Sequence, residues 1–422
     1  MRVFGDLVDI TLRTPAPLTL RARHGSFGAS EGINVTVRSR IEELDDSPIV
    51  DVWRMGFAVP DVIGLWAGES DLPTPDFICE AAAAALRAGK TFYIPNRGIP
   101  ELRAALADYL QGLYGVRVAD DRIAITSSGM NAVMLVSQAI ADPGDNVVVV
   151  TPSWPNIMRS MEILGAEVRT VPLIPGNAGW RLDLDAVFAR CDGRTRGIYY
   201  ASPGNPTGWI LERDQAVAML EFTRRRGIAI LADEVYHRLV YDRAVAPSLL
   251  QLATPKDNIY SLNSFSKSWA MTGWRLGWVV YPSGQLDTFE KLIQFNTSGG
   301  QAFLQEGAIA ALRQGESFVS SFVARCQEGR DLIKARLAAM PRVRLTVANG
   351  SFYAMFGVDG VTDTLAFCKR AVAEARVGLA PGMAFGGGAD DQIRLCYARS
   401  HGNLTEAMSR LAPFIAGYRE GV

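Results

Sequence analysis

From Val35 onward, apolar runs of four to seven residues alternate with longer stretches in which apolar positions recur at helical spacing. The runs NVVVVT, GIYYAS, IAILAD, NIYSLNS and LGWVVYP carry apolar residues at both odd and even positions. A strand tolerates that pattern only where both of its faces are covered, as in a parallel sheet between helices. The stretches between them, such as DFICEAAAAALRAGK, Pro100 to Tyr114 and LERDQAVAMLEFTRRRG, read as amphipathic helices. Between two of these elements, the short strand RIAIT leads into the helix SSGMNAVMLVSQAI through a tight turn.

This alternation predicts an α/β protein whose large domain, residues 75–314, has a mainly parallel central sheet covered by helices. A long helix over about 316–339, then VRLTV, SFYAMF, a helix from Leu365 to Ala375 and QIRLCYA predict a smaller α+β domain. That smaller domain is expected to combine residues 34–74 with 315–422. Residues 1–33 have neither period and read as an N-terminal extension of unassigned role.

Charge and composition narrow the partners. Forty-three basic residues against 44 acidic ones leave a net charge of -1, so no global field favours nucleic acid or an anionic membrane. The five cysteines are scattered without a CxxC pair, which argues against a disulfide framework and against a metal site. No apolar run approaches the roughly 20 residues of a membrane span. The N-terminus carries acids and prolines where a secretion signal is basic and then apolar, so a cytoplasmic location is expected.

Candidate chemistry lies at strand ends. In SLNSFSKSWAMTGWRLGW, Lys267 sits between two strand patterns, flanked by Ser264, Ser266 and Trp269. Desolvation there lowers an amine's pKa and favours Schiff-base chemistry, although a lone lysine is more often a solvated surface residue. Asn205 of ASPGNPTG follows a strand and is equally a turn residue. Asp233 and Tyr236 close the strand in ILADEVYHRL, where a carboxylate is also a common helix cap.

Taken together, Asn205, Asp233, Tyr236, Ser264-x-Ser266-Lys267 and Arg275 resemble the class I and II aminotransferases of the aspartate aminotransferase fold, the fold type I of pyridoxal-phosphate enzymes. LWAGESDLPTP, YIPNRGIPEL, TSSGMNA, PSWPN, NGSFYAM and QIRLCYA extend the resemblance from about Ser39 to the C-terminus. It implies pyridoxal 5′-phosphate as cofactor, with Lys267 as Schiff-base lysine and proton shuttle in a ping-pong exchange between an L-amino acid and a 2-oxo acid. It further implies Asp233 against the pyridine nitrogen, Asn205 and Tyr236 on the ring's 3-oxygen, and Trp154 stacked on the ring and beside the substrate. Phosphate falls to Ser128, Gly129, Met130, Ser264, Ser266 and Arg275, and the substrate's α-carboxylate to Arg394 with Asn205 and the backbone at Gly68. Tyr93 matches a tyrosine that reaches the cofactor of a neighbouring subunit, which implies a homodimer with shared active sites.

Specificity is less defined. Met130 stands where one subgroup of related aspartate aminotransferases has a lysine for a distal carboxylate, and Arg97 is a candidate substitute, with a solvated surface arginine as its plain alternative. A C–S β-lyase or a decarboxylase of the same fold would share these motifs. A ligand-sensing regulator would need a helix-turn-helix module that residues 1–33 are too short and proline-rich to form. No strand is followed by the GxGxxG turn of a nicotinamide-dependent dehydrogenase.

Overall fold

The computed structural model describes residues 37–176, 179–346 and 348–421, so the proposed extension over 1–33 lies outside the described residues. A seven-stranded sheet forms the centre. Its order is Ile123–Thr126, Gly277–Val280, Ile259–Ser264, Ala229–Asp233, Thr195–Ala201, Asn146–Thr151 and Glu167–Pro172. Six of these strands point the same way, whereas Gly277–Val280 is antiparallel to both neighbours.

The two-sided apolar pattern has the expected cause. Val148, Val150, Ile198 and Ile230 enter one core, while Val147, Val149, Tyr199 and Leu231 enter another. Successive side chains of a strand point to opposite faces, so each valine-rich strand supplies both layers. Helix Pro100–Tyr114 begins on its proline and stops at Gly115, whose left-handed backbone ends the helix as the sequence predicts.

A second sheet is antiparallel, with the order Val343–Thr346, Tyr353–Val358, Gln392–Cys396 and Ala380–Pro381. It packs in a separate core with the 23-residue helix Glu316–Ala338 and with helix His401–Gly417. The helix expected up to Ala375 is α-helical over Thr364–Arg370 and widens into a π turn over Ala371–Ala375. The N-terminal segment joins this unit, since Ile63–Gly64 pairs in parallel with Val377–Gly378. Among the described residues, no helix is long and apolar enough to cross a membrane.

Candidate active site

Four adjacent parallel strands end on the same side of the large sheet and lead into Trp154, Asn205, Asp233 and the Ser264 to Lys267 turn. Ligands of open α/β sheets gather at such carboxyl ends. Here a cavity of about 440 Å³ opens between that edge and the second sheet, which contributes Tyr353 and Arg394.

Lys267 Nζ donates to the Gly68 carbonyl at 2.6 Å and lies 6.0 Å from the Tyr236 ring centroid. Burial brings its pKa down to about 8; Arg275 and Arg394 push the same way, against Cys396 and Glu69. Such an amine presents a larger neutral, nucleophilic share near physiological pH.

Asp233 is buried, with Oδ2 accepting from the Tyr199 hydroxyl at 2.8 Å and Oδ1 from the Val235 amide at 3.2 Å. Burial raises its pKa, and these donors with Lys267 oppose the rise. A buried carboxylate on the cavity wall, without a cation in ion-pair contact among the described residues, is a receptor for positive charge. Beside it, the Tyr236 and Tyr353 hydroxyls are 2.6 Å apart, and either can donate to the other.

An anion cradle lies along the same wall. Gly129 and Met130 open helix Gly129–Ile140 and line the cavity, so the first-turn N–H groups and the helix dipole favour negative charge there. Ser128 caps that helix, its Oγ accepting from the Asn131 amide at 2.9 Å, and its side chain does not line the cavity. Ser264 and Ser266 hydroxyls lie 2.8 Å apart, and Arg275 completes the wall with its Nη1 donating to the Thr272 carbonyl at 2.6 Å. Close packing beneath the cradle requires Gly277, where a Cβ would fall 2.6 Å from the Gly129 nitrogen.

Arg394 is only 3% exposed. Its Nη1 donates to Asn205 Oδ1 at 2.9 Å and its Nη2 to the Trp66 carbonyl, while the Tyr353 and Phe385 rings flank it at 4.5 and 4.9 Å. Among the described residues Nε has no hydrogen-bond partner and no carboxylate forms an ion pair with the guanidinium. A guanidinium held so deeply calls for an anion. Gly68, at the same wall, is a glycine for reasons of space: a Cβ there would lie 2.1 Å from the Tyr353 hydroxyl.

The residues therefore fit pyridoxal 5′-phosphate: a cradle for its phosphate, a carboxylate for its ring nitrogen and a lysine of lowered pKa for its aldehyde. Tyr93 stands outside this chain's cavity and is 94% exposed. Arg97 requires correction. It is buried, donating Nη1 to the carbonyls of Asp120 and Ile123 and Nε to Glu290 at 3.2 Å, so it is neither a solvated arginine nor a wall of the cavity. Its fork is consumed by carbonyls at the start of the edge strand, which would otherwise be desolvated without donors.

The motifs did not single out Tyr199 or Ile49, and Trp66, Asn156 and Tyr353 were visible only inside LWAGESDLPTP, PSWPN and NGSFYAM. Tyr199 pairs in register with Leu231, two positions before Asp233 on the neighbouring strand. That diagonal places both side chains on one face within reach of a tyrosine hydroxyl. A polar-tipped residue at an alternate position of a buried strand was the available signal.

This fold with this lysine, carboxylate and arginine in one cavity defines an enzyme of amino-group chemistry. Residues 60–411 match the family Aminotransferase class I and II, and the chain belongs to that family; it is an aminotransferase. It is 32% identical to an aspartate aminotransferase of Pyrococcus horikoshii over 90% of this chain and 97% of that protein. A valine–pyruvate aminotransferase of Mycobacterium tuberculosis is also 32% identical, over 84% and 91%. The crystal structure of an aspartate aminotransferase from Thermotoga maritima superposes with a TM-score of 0.84 at 31% identity, covering 90% of this chain and all of that one.

Proposed function

We propose that this aminotransferase moves the α-amino group of an L-amino acid to a 2-oxo acid in a ping-pong cycle on pyridoxal 5′-phosphate, with Lys267 as the residue that holds the cofactor's aldehyde. The observation that carries this reading is the meeting, in one cavity, of a lysine with a lowered pKa, a buried carboxylate awaiting a cation and a buried arginine awaiting an anion. When bound, the cofactor supplies an electron-withdrawing ring that accepts the charge left when a substrate Cα gives up its proton.

The chain's own residues do the rest. Arg394 binds the α-carboxylate through its fork, with Asn205 fixing the guanidinium plane. Lys267, when its amine is free, would move a proton between the substrate Cα and the cofactor carbon two bonds away, as general base and then acid. Asp233 would hold the ring nitrogen protonated, and Tyr236, whose hydroxyl lies 2.6 Å from that of Tyr353, would donate to the ring oxygen. Trp154 offers a flat apolar face for stacking, and the Gly129 and Met130 amides with Ser264, Ser266 and Arg275 hold the phosphate. A homodimer is part of the reading: Phe92, Tyr93 and Phe295 are 83%, 94% and 83% exposed, which suits coverage by a second copy.

Replacing the lysine tests the core of this reading. In Lys267→Ala the absorbance of covalently held cofactor disappears and amino transfer falls by at least about a thousandfold. Substantial residual transfer would remove Lys267 from its role, and release of ammonia in place of transfer by the unaltered protein would point to a lyase.

A further inference from the structure

Three cationic side chains line the cavity: Lys267, Arg275 and Arg394. On the reading above, each is already committed to aldehyde, phosphate or α-carboxylate. Among the described residues, three arginines outside the lining are also engaged. Arg97 is tied to Glu290 and two backbone carbonyls, Arg159 to Asp45 at 3.0 Å and Glu162 at 2.7 Å, and Arg399 to the carbonyls of Gly64 and Glu69. The charge of Glu69, which acts on Lys267, adds to the negative side of the balance.

The wall that has no assigned partner is apolar. Ile49, Val133 and the Met130 side chain contribute to it, and the Asn156 amide donates to the Met130 thioether at 3.6 Å. A thioether is a weak acceptor, so this amide is turned onto soft apolar surface. A second carboxylate placed here would lose its water and gain no counter-ion from the described residues of this chain, whereas an aliphatic or thioether side chain would bury apolar area against matching groups.

We propose that the cavity selects amino acids with uncharged, apolar side chains, and that Met130 is a specificity-determining residue for that choice. Because a ping-pong enzyme receives donor and acceptor in the same place, the preferred acceptors are 2-oxo acids without a second carboxylate. Two relatives with equal identity to this chain carry names with aspartate and with valine and pyruvate, so family membership leaves the side chain open and the wall decides it.

The experiment uses the cofactor-loaded protein and follows two signals. The concentration of amino acid that half-saturates the change in cofactor absorbance reads side-chain preference, and amine transfer to pyruvate or to 2-oxoglutarate reads the reaction. Leucine and methionine are expected to half-saturate at concentrations at least about tenfold below aspartate and glutamate, with pyruvate the better acceptor. Met130→Lys is expected to shift the aspartate-to-leucine ratio at least about tenfold toward aspartate.

Tighter binding of aspartate or glutamate than of leucine by the unaltered protein overturns the proposal, as does an unchanged ratio in a folded Met130→Lys protein. If transfer occurs but acidic substrates win, the aminotransferase reading stands and the apolar pocket falls. If leucine wins without transfer to any acceptor, the pocket stands and the proposed reaction falls.

Discussion

The two ends of the cavity differ in how their polar groups are held. At the cofactor and α-carboxylate end, nearly every polar atom is oriented by another buried group: Asp233 by Tyr199 and Val235, Tyr236 by Tyr353, Arg394 by Asn205 and Trp66. On the other part of the lining, Ile49, Val133 and the Met130 side chain present apolar surface, and the Asn156 amide leans on sulfur. The first end is preorganised for charge; the second discriminates by volume and by what it refuses to solvate. Fixed chemistry and adjustable selectivity are thereby separated within one chamber.

That contrast can be broken at several points, the largest effect coming first. Burial of Lys267 predicts that attachment of the cofactor to the apoprotein rises with pH and levels off above a midpoint near 8, not near the 10.5 of an ordinary lysine, because only the neutral amine attacks. At pH 7 this corresponds to a neutral share raised by roughly two orders of magnitude. A midpoint near 10 in stopped-flow absorbance would show that burial does not tune the amine.

Arg394→Ala is expected to lower kcat/KM by about 3 kcal/mol, roughly a hundredfold, and to do so equally for leucine, methionine and phenylalanine. A loss that varied with the side chain would place Arg394 at the selective end instead. Tyr199→Phe removes one donor to a buried carboxylate and should weaken retention of the cofactor by about 1–2 kcal/mol, near tenfold, with side-chain preference unchanged. Equilibrium dialysis of the cofactor checks this independently of turnover. The smallest effect on selectivity belongs to Arg97→Gln: the melting temperature falls, because two carbonyls and Glu290 lose their donor, while the ratio of aspartate to leucine rates stays where it was.

The sequence made the framework legible because two-sided apolar strands and glycine- or proline-marked turns are local signals. Lys267, Asp233, Asn205 and Arg394 were singled out by the order of motifs taken together, since each alone had a plain structural role, and the structure brings all four to one cavity. Tyr199 could not be assigned a partner, since its contact with Asp233 depends on the register between two parallel strands. Arg97 pointed the wrong way for a similar reason: its carbonyl partners follow it by more than 20 residues in sequence. Ile49 reaches the cavity from a helix that packs with the C-terminal unit, a placement no periodicity encodes. Ser128 was read as part of a helix start that offers backbone N–H groups, and its hydroxyl caps that helix.

Gly68 carries a consequence for how such a protein can drift over generations. Its carbonyl receives the lysine amine, and the absence of its side chain makes room for the Tyr353 hydroxyl that meets Tyr236. Any larger residue at 68 collides before it offers an advantage, and a smaller residue at 353 strands the hydroxyl of Tyr236 without its partner. The two positions are therefore coupled: a side chain at 68 can be accommodated only if the tyrosine at 353 gives way, so the pair has to be changed together.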